Sequence, residues 1–272
     1  EISEVNSLAL QWYENKFNQV LDLINKNYKN YRISDVLMSS YRLVWDDYCS
    51  WLLESVKPEF GEKIDNQTKS KIISLFEDNL KLLHPFMPFL TEEIWHQLAS
   101  RTSSESITIS KWPDSNKFKN DIIINFEIAK DIISYIRNFR KEKNIPFKKE
   151  LSLYFVSKKS NLNYISVIKK LAFLDKIELS EKDNFKSVNS FIIGSIDFFI
   201  PLEGDVDLKS EIERLNKELD YNIKFLKSVE NKLKNKSFVD NAPKDIVEKE
   251  KKKVNDANSK IEVIKKALSD LS

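Results

Sequence analysis

Two uninterrupted heptad seams close this chain and constrain its fold more than any other feature. Leu208, Ile212, Leu215, Leu219, Asn222, Leu226, Val229 and Leu233 step by four and three, as do Val247, Glu250, Val254, Ala257, Ile261, Ile264, Leu268 and Leu271. A strict seven-residue repeat specifies coiled-coil helices. Paired as an antiparallel hairpin, 233 faces 247, 226 faces 254, 219 faces 261 and 212 faces 268, so facing positions sum to 480. The registers agree over the whole length. Arms of about 27 residues would reach ~40 Å at 1.5 Å per residue. The polar turn and Pro243 between them favour an intramolecular hairpin, and Asn222 is expected to fix its register.

Upstream, residues 1–115 are helix-periodic. Leu10, Tyr13, Phe17, Leu21, Ile24 and Tyr28 share one face. Tyr41, Val44, Trp45, Tyr48 and Leu52, with Cys49, Leu53 and Val56 beside them, predict a second helix buried on most sides. A third helix is expected over 68–83. Thr91 is expected to N-cap a fourth, with Glu92 and Glu93 in its first turn. These make an antiparallel bundle. Residues 116–203 read as a small α+β unit: a helix over 119–143, strands over 151–156, 190–193 and 196–200, and a short helix near 162–171. The fold expected is mainly α, in three domains: 1–115, 116–203 and a coiled-coil arm over 204–272.

Composition removes whole classes of function. Three glycines in 272 residues leave no glycine-rich phosphate cradle. One cysteine, Cys49, and two histidines, His84 and His96, exclude an intrachain disulfide and give no metal set. Cys49 is expected to fill core, the histidines to be structural, and most tryptophans to be buried. Sparse cysteine fits the cytoplasm, and no apolar run approaches a membrane span. No spacing of acidic residues singles out a general acid–base pair, so no catalytic residue is assigned. The initial Glu1 suggests a piece of a longer chain.

The net charge of +2 hides an asymmetry. Residues 1–115 carry −5, residues 116–204 carry +5, and residues 205–272 carry +2, with the positive charge of the hairpin gathered near its turn. Lys224, Lys227, Lys232, Lys234 and Lys236 climb one arm, while Lys249, Lys251, Lys252 and Lys253 start down the other, and the 480 register sets Lys227 level with Lys253. Such a cluster either decorates a solvated face or contacts phosphates without reading bases. Arg137, Arg140 and Lys141 share a helix face, with Lys143, Lys148 and Lys149 beyond. They suit a phosphate track and an acidic protein surface equally well.

Several runs carry a family resemblance. Tyr41-Arg-Leu-Val-Trp-Asp-Asp-Tyr-Cys-Ser-Trp51 and Leu83-His-Pro-Phe-Met-Pro-Phe-Leu-Thr-Glu-Glu-Ile-Trp95 resemble the anticodon-binding bundle of valyl-tRNA synthetases. So do Ser106-Ile-Thr-Ile-Ser-Lys-Trp-Pro113 and Ile136-Arg-Asn-Phe-Arg with Asn144-Ile-Pro146. The segment from Pro201 to Leu215, with Phe238 and Ala242-Pro243, is similar to the C-terminal coiled coil of that family. The resemblance covers essentially the whole chain. It implies a C-terminal portion that lacks the catalytic and editing domains and the first bundle helix, and that is inactive alone. It implies valine tRNA as partner, with the missing domains of the same polypeptide, in a monomer. ATP and Mg are implied only for the full-length ligase. It places anticodon contacts in the bundle, where the loop holding Lys57, Phe60 and Lys63 offers cations and one aromatic, and outer-corner contacts on the coiled coil. A protein-binding scaffold and a free-standing tRNA-binding paralogue are the alternatives.

Overall fold

A computed structural model describes residues 2–143, 145–147, 149–156, 162–180, 188–194, 196–201, 208–235 and 244–271. Asn144, Lys148, Lys236, Phe238 and Pro243, all named above, lie outside the described residues. The chain divides into two compact units: residues 1–149 with 162–173, and residues 150–161 with 174–272. The stretch 116–203 is thus shared between them, its helices in the first unit and its strands in the second.

The first unit is helical. It comprises α1 (Glu4–Lys29), α2 (Ile33–Arg42), a π-helical continuation (Leu43–Leu52), α3 (Leu53–Val56), α4 (Asn66–Leu83), α5 (Pro88–Leu98), α6 (Asn120–Glu142) and α7 (Ile165–Ala172). Helix α1 is the axis against which α2, α3, α4, α6 and α7 all pack. Ser3 caps it by accepting from the Asn6 N–H, and Lys26 and Lys29 in its last turn suit the negative end of the helix dipole. Leu10, Tyr13, Phe17, Leu21 and Ile24 are buried on it, as the periodicity predicts, Tyr28 is half-buried, and Ala9 and Trp12 are buried as well. The indole of Trp12 stacks on Phe126 of α6 at 3.8 Å between ring centres. Tyr13 donates its hydroxyl to Asn79 Oδ1 of α4 at 2.9 Å.

The second helix departs from its sequence expectation. Ordinary α-helical steps would put Tyr41, Trp45, Tyr48 and Leu52 on one face. Wider π-helical turns instead send Leu43, Asp47, Tyr48 and Leu52 inward, leaving Tyr41 and Trp45 exposed and stacked on each other at 6.2 Å. Cys49 shares this outcome. It is exposed rather than core-filling. The same turn aims Asp47 into the bundle, where its Oδ1 accepts from Lys130 Nζ of α6 at 2.8 Å. That ammonium lies 4.7 Å from the Trp12 ring centre and 5.5 Å from that of Trp51.

Helix α5 begins at Pro88, so Thr91 lies inside it and does not cap it. The Thr91 hydroxyl is buried, donates to Met87 O at 2.8 Å and meets the His84 ring at 2.7 Å. A proline at the first helical position needs no N–H there, which makes an earlier start favourable. Trp95, Leu80 and Ile107 form a local apolar cluster beside it.

The second unit holds a four-stranded sheet of β1 (Leu151–Val156), β2 (Leu174–Leu179), β3 (Val188–Ile193) and β4 (Ile196–Pro201), in the order β2-β1-β4-β3. The β1–β2 pair is parallel and the other two pairs are antiparallel. Gly194 takes φ +62° in the tight β3–β4 turn, a conformation natural to glycine. Strand β2 was not expected. Its Leu-Asp-Lys-Ile-Glu-Leu pattern is that of a mostly solvated edge, with only Leu174 buried. Two long helices complete the unit, α8 (Leu208–Lys234) and α9 (Lys244–Leu271), packed on each other. The seam reading holds: Leu215, Asn222, Val229, Val247, Glu250, Ala257, Ile261 and Ile264 are buried.

The Lys130–Asp47 pair sets a stability test. Lys130→Met alone strands a buried carboxylate and is expected to cost about 3–5 kcal/mol. Adding Asp47→Leu should recover most of that loss. Urea unfolding followed by tryptophan fluorescence reads both.

Candidate nucleic-acid interface

Helix α3 ends at Val56, and Lys57 leaves the helix with ψ 126°. The chain then reverses in a turn closed by Glu62 N–H donating to Glu59 O at 3.0 Å, with Gly61 at φ +89°. A glycine at the third position of such a turn lets Phe60 occupy the second, the outermost position. Phe60 is fully exposed, with relative accessibility 108%. Lys63 is exposed as well, while Lys57 lies 3.6 Å from Glu54 in a solvent-facing pair. Such pairs hold weakly and exchange readily. Glu59 and Glu62 offset the two lysines, so the loop offers one bare aromatic and two cations rather than a strong positive field.

Both ends of this loop are fastened. Lys170 of α7 donates to Ser55 O at 2.8 Å and to Lys57 O at 2.7 Å, capping the end of α3. Asp65 caps α4 by accepting from Thr68 N–H at 2.7 Å, and Asn6 of α1 donates to Asp65 and Thr68. Lys170 had no distinguishing mark in the sequence. A lysine near a helix end reads as a dipole cation, and its reach to another helix is a tertiary fact.

On the basic face expected on α6, Arg140 is turned inward. Arg140 is 3% exposed and donates to four carbonyls: Pro146 O, Lys149 O, Ala172 O and Phe173 O, at 2.6–3.3 Å. Arg137 donates twice to Leu171 O, at 3.2 and 3.1 Å. Burial pushes both guanidinium pKa values down. Both arginines close the end of α7, where Phe173 takes the left-handed φ of +56°; Arg140 is buried there, while Arg137 keeps part of its surface exposed. Lys141 is exposed. Three cations of this unit therefore serve as carbonyl caps.

A cleft of about 630 Å³ opens between α1, α4 and residues 111–117. Six of its charges pair as Lys71–Glu14, Lys81–Asp78 and Lys111–Asp114, and Lys117 is the seventh, so no concentrated sign is offered to an ionic ligand. Among the described residues no group of three or more His, Cys, Asp or Glu side chains could hold a metal ion, and no helix is long and apolar enough to cross a membrane.

In the second unit Lys224, Lys227, Lys234, Lys249 and Lys252 are exposed along α8 and α9. Lys253 is exposed too, and its Nζ donates to Glu250 Oε1 at 2.8 Å, while Lys232 Nζ approaches the same oxygen at 3.5 Å from the other helix. This contact agrees with the 480 register to within a turn. The Lys253 hydrogen bond, with both cations nearby, holds the Glu250 carboxyl below its usual range. Asn222 donates to Glu218 O of its own helix, while Lys232 and Glu250 make a charged contact between the helices.

The comparisons follow the same two parts. A family model described as the anticodon-binding domain of tRNA ligases matches residues 11–155, and one described as the valyl tRNA synthetase tRNA-binding arm matches residues 207–272. A valine–tRNA ligase of Christiangramia forsetii is 43% identical over 273 residues, covering 100% of this chain and 31% of the relative. That of Porphyromonas gingivalis is 39% identical over 98% of the chain, and that of Thermotoga maritima 28% over 96%, each with 30% of the relative covered. The chain spans about a third of the length of the relatives it matches.

Asp65 gives a pH test for the loop. Its hydrogen bonds to Thr68 hold its carboxyl below the ordinary range. The folded pKa is depressed, so the stability it contributes is present above the unfolded value of about 3.9 and lost as pH falls through the folded value. Asp65→Asn should make the fall in thermal stability below about pH 4 shallower.

Proposed function

Because the chain belongs to the anticodon-binding domain family of tRNA ligases, we propose that it is the tRNA-gripping C-terminal region of a valine–tRNA ligase. The observation that carries this reading is the order of two matched parts in one chain, an anticodon-binding domain followed by a tRNA-binding arm. The helical bundle and the heptad-paired helices supply the two folds that this order requires. In the proposed division of labour, residues 1–115 address the anticodon stem-loop, residues 116–203 connect, and residues 204–272 form an arm on the outer corner of the tRNA. The partners are valine tRNA and the remaining domains of the same polypeptide, in a cytoplasmic monomer. ATP-dependent attachment of valine belongs to those remaining domains, with ATP and Mg bound there.

Lys57, Phe60 and Lys63 are the proposed contacts on the anticodon side. Phe60 would stack on an unpaired base, a contact open to any base because each has a π-face. On the arm, Lys224, Lys227, Lys234, Lys249, Lys252 and Lys253 would meet phosphates. These contacts fix position rather than read sequence. Arg137 and Lys141, both exposed, are candidates for RNA or for an adjoining domain. The acidic balance of residues 1–115 restricts bundle contacts to local patches.

Fluorescence anisotropy with labelled valine tRNA, titrated across salt concentrations, tests the arm. Replacing Lys227 and Lys253 together by Ala is expected to weaken binding and reduce the slope of log K against log salt by about two. An unchanged slope overturns the assignment of those lysines. The 272-residue chain should bind valine tRNA and attach no valine. Measurable valylation by it, or a dimer in sedimentation that ignores tRNA, overturns the reading as a whole.

A further inference from the structure

The turn after α6 is held with unusual firmness for a simple connection. One buried guanidinium, that of Arg140, donates to Pro146 O and Lys149 O on either side of Phe147, and to Ala172 O and Phe173 O at the end of α7. It therefore fixes Phe147 and its backing in one frame. The Phe173 ring lies behind Phe147 at 5.3 Å between centres and 41° between planes. Phe173 accepts a left-handed backbone, rare for a residue with a side chain, to stand there. Phe147 is nonetheless 56% exposed, one side supported and the rest open to solvent. A turn that only joined a helix to a strand would need neither the buried arginine nor the exposed ring.

The surroundings suit a nucleic acid. Lys141, Lys149 and Lys169 are exposed on the elements that carry Phe147 and Phe173. Lys170, three residues before Phe173, is bonded to the first residue of the Lys57–Lys63 loop. The two exposed rings, Phe60 and Phe147, thus belong to one end of the first unit. Aromatic side chains flanked by cations are the arrangement that holds single-stranded nucleotides, the ring taking a base face and the cations the backbone.

We propose that Phe147 is a second base-stacking residue of this unit, a preset platform for an unpaired RNA base, with Lys141, Lys149 and Lys169 meeting the flanking phosphates. The proposal rests on the tRNA reading above and extends the anticodon-side surface beyond the Phe60 loop.

The test uses the 272-residue chain and the isolated anticodon stem-loop of a valine tRNA, followed by anisotropy, with circular dichroism melts to monitor the fold. Phe147→Ala and Phe147→Leu should each weaken binding by about tenfold, and Phe147→Trp should preserve it, because a base stacks on a π-face and not on an aliphatic chain. The salt slope should stay unchanged, since no charge is removed. If Phe147→Ala loses the fold, the comparison of Leu with Trp decides. Wild-type binding by Phe147→Leu overturns the proposal. If Phe60→Ala and the Lys57, Lys63 double variant lose affinity while every Phe147 variant keeps it, the tRNA reading stands and this extension fails. If none of these variants changes stem-loop binding, the anticodon assignment at this end falls, and the Phe147 platform with it.

Discussion

The ammonium of Lys130 holds the first unit in register. It sits buried between the indoles of Trp12 and Trp51, bonded to Asp47 and Glu127. A buried cation is tolerated only where partners replace its lost hydration, and here they come from α1, α6 and the π-helical segment together. Slipping α6 or the π-helical segment by one position would break the ion pair, and slipping α1 would take the Trp12 ring from the ammonium. The π-helical widening is what turns Asp47 inward, so the local irregularity and the buried ion pair depend on each other. The Trp12–Phe126 stack completes the same junction.

A second use of cations governs which basic side chains remain for a ligand. Helix C-termini leave carbonyls without partners. Those of α3 and α7 come together, and Lys170, Arg137 and Arg140 satisfy them. These side chains neutralise an end that would otherwise repel a polyanion, and they build the support on which the Lys57–Lys63 loop and the Phe147 turn are presented. The exposed lysines can meet phosphates only because others have taken this internal duty. On the paired helices Glu250 draws in Lys232 across the seam and bonds Lys253, whose side chain stays half exposed.

Much of this was legible in the residues. The heptad seam, down to the buried position of Glu250, follows from periodicity because a coiled coil is nearly one-dimensional and each residue meets only the facing helix. Helices α1, α4 and α6 were legible for a related reason, since each carries a long apolar stripe. The second helix was not. Tyr41, Trp45 and Cys49 look like core on α-helical spacing, and only the wider turn moves them outward. Strand β2 escaped because an edge strand needs no buried alternation. At the candidate site, Phe60 and its flanking lysines were visible as a turn with a glycine. The burial of Arg140 was not legible, because a basic helix face has the same sequence whether it meets phosphate or carbonyl.

The sequence by itself determined that the chain is mainly helical, that it ends in two antiparallel paired helices, and that its positive charge is segregated while its glycine content leaves no phosphate cradle. These properties reside in spacing and composition. Only the tertiary structure decided which cations are consumed internally, which aromatic rings stay exposed, and where the strands and helices of residues 116–203 belong. The physical reason is that a carbonyl cap, a buried ion pair and a supported ring are each made between residues remote in sequence. Their satisfaction depends on which helix ends the packing of α1 brings together.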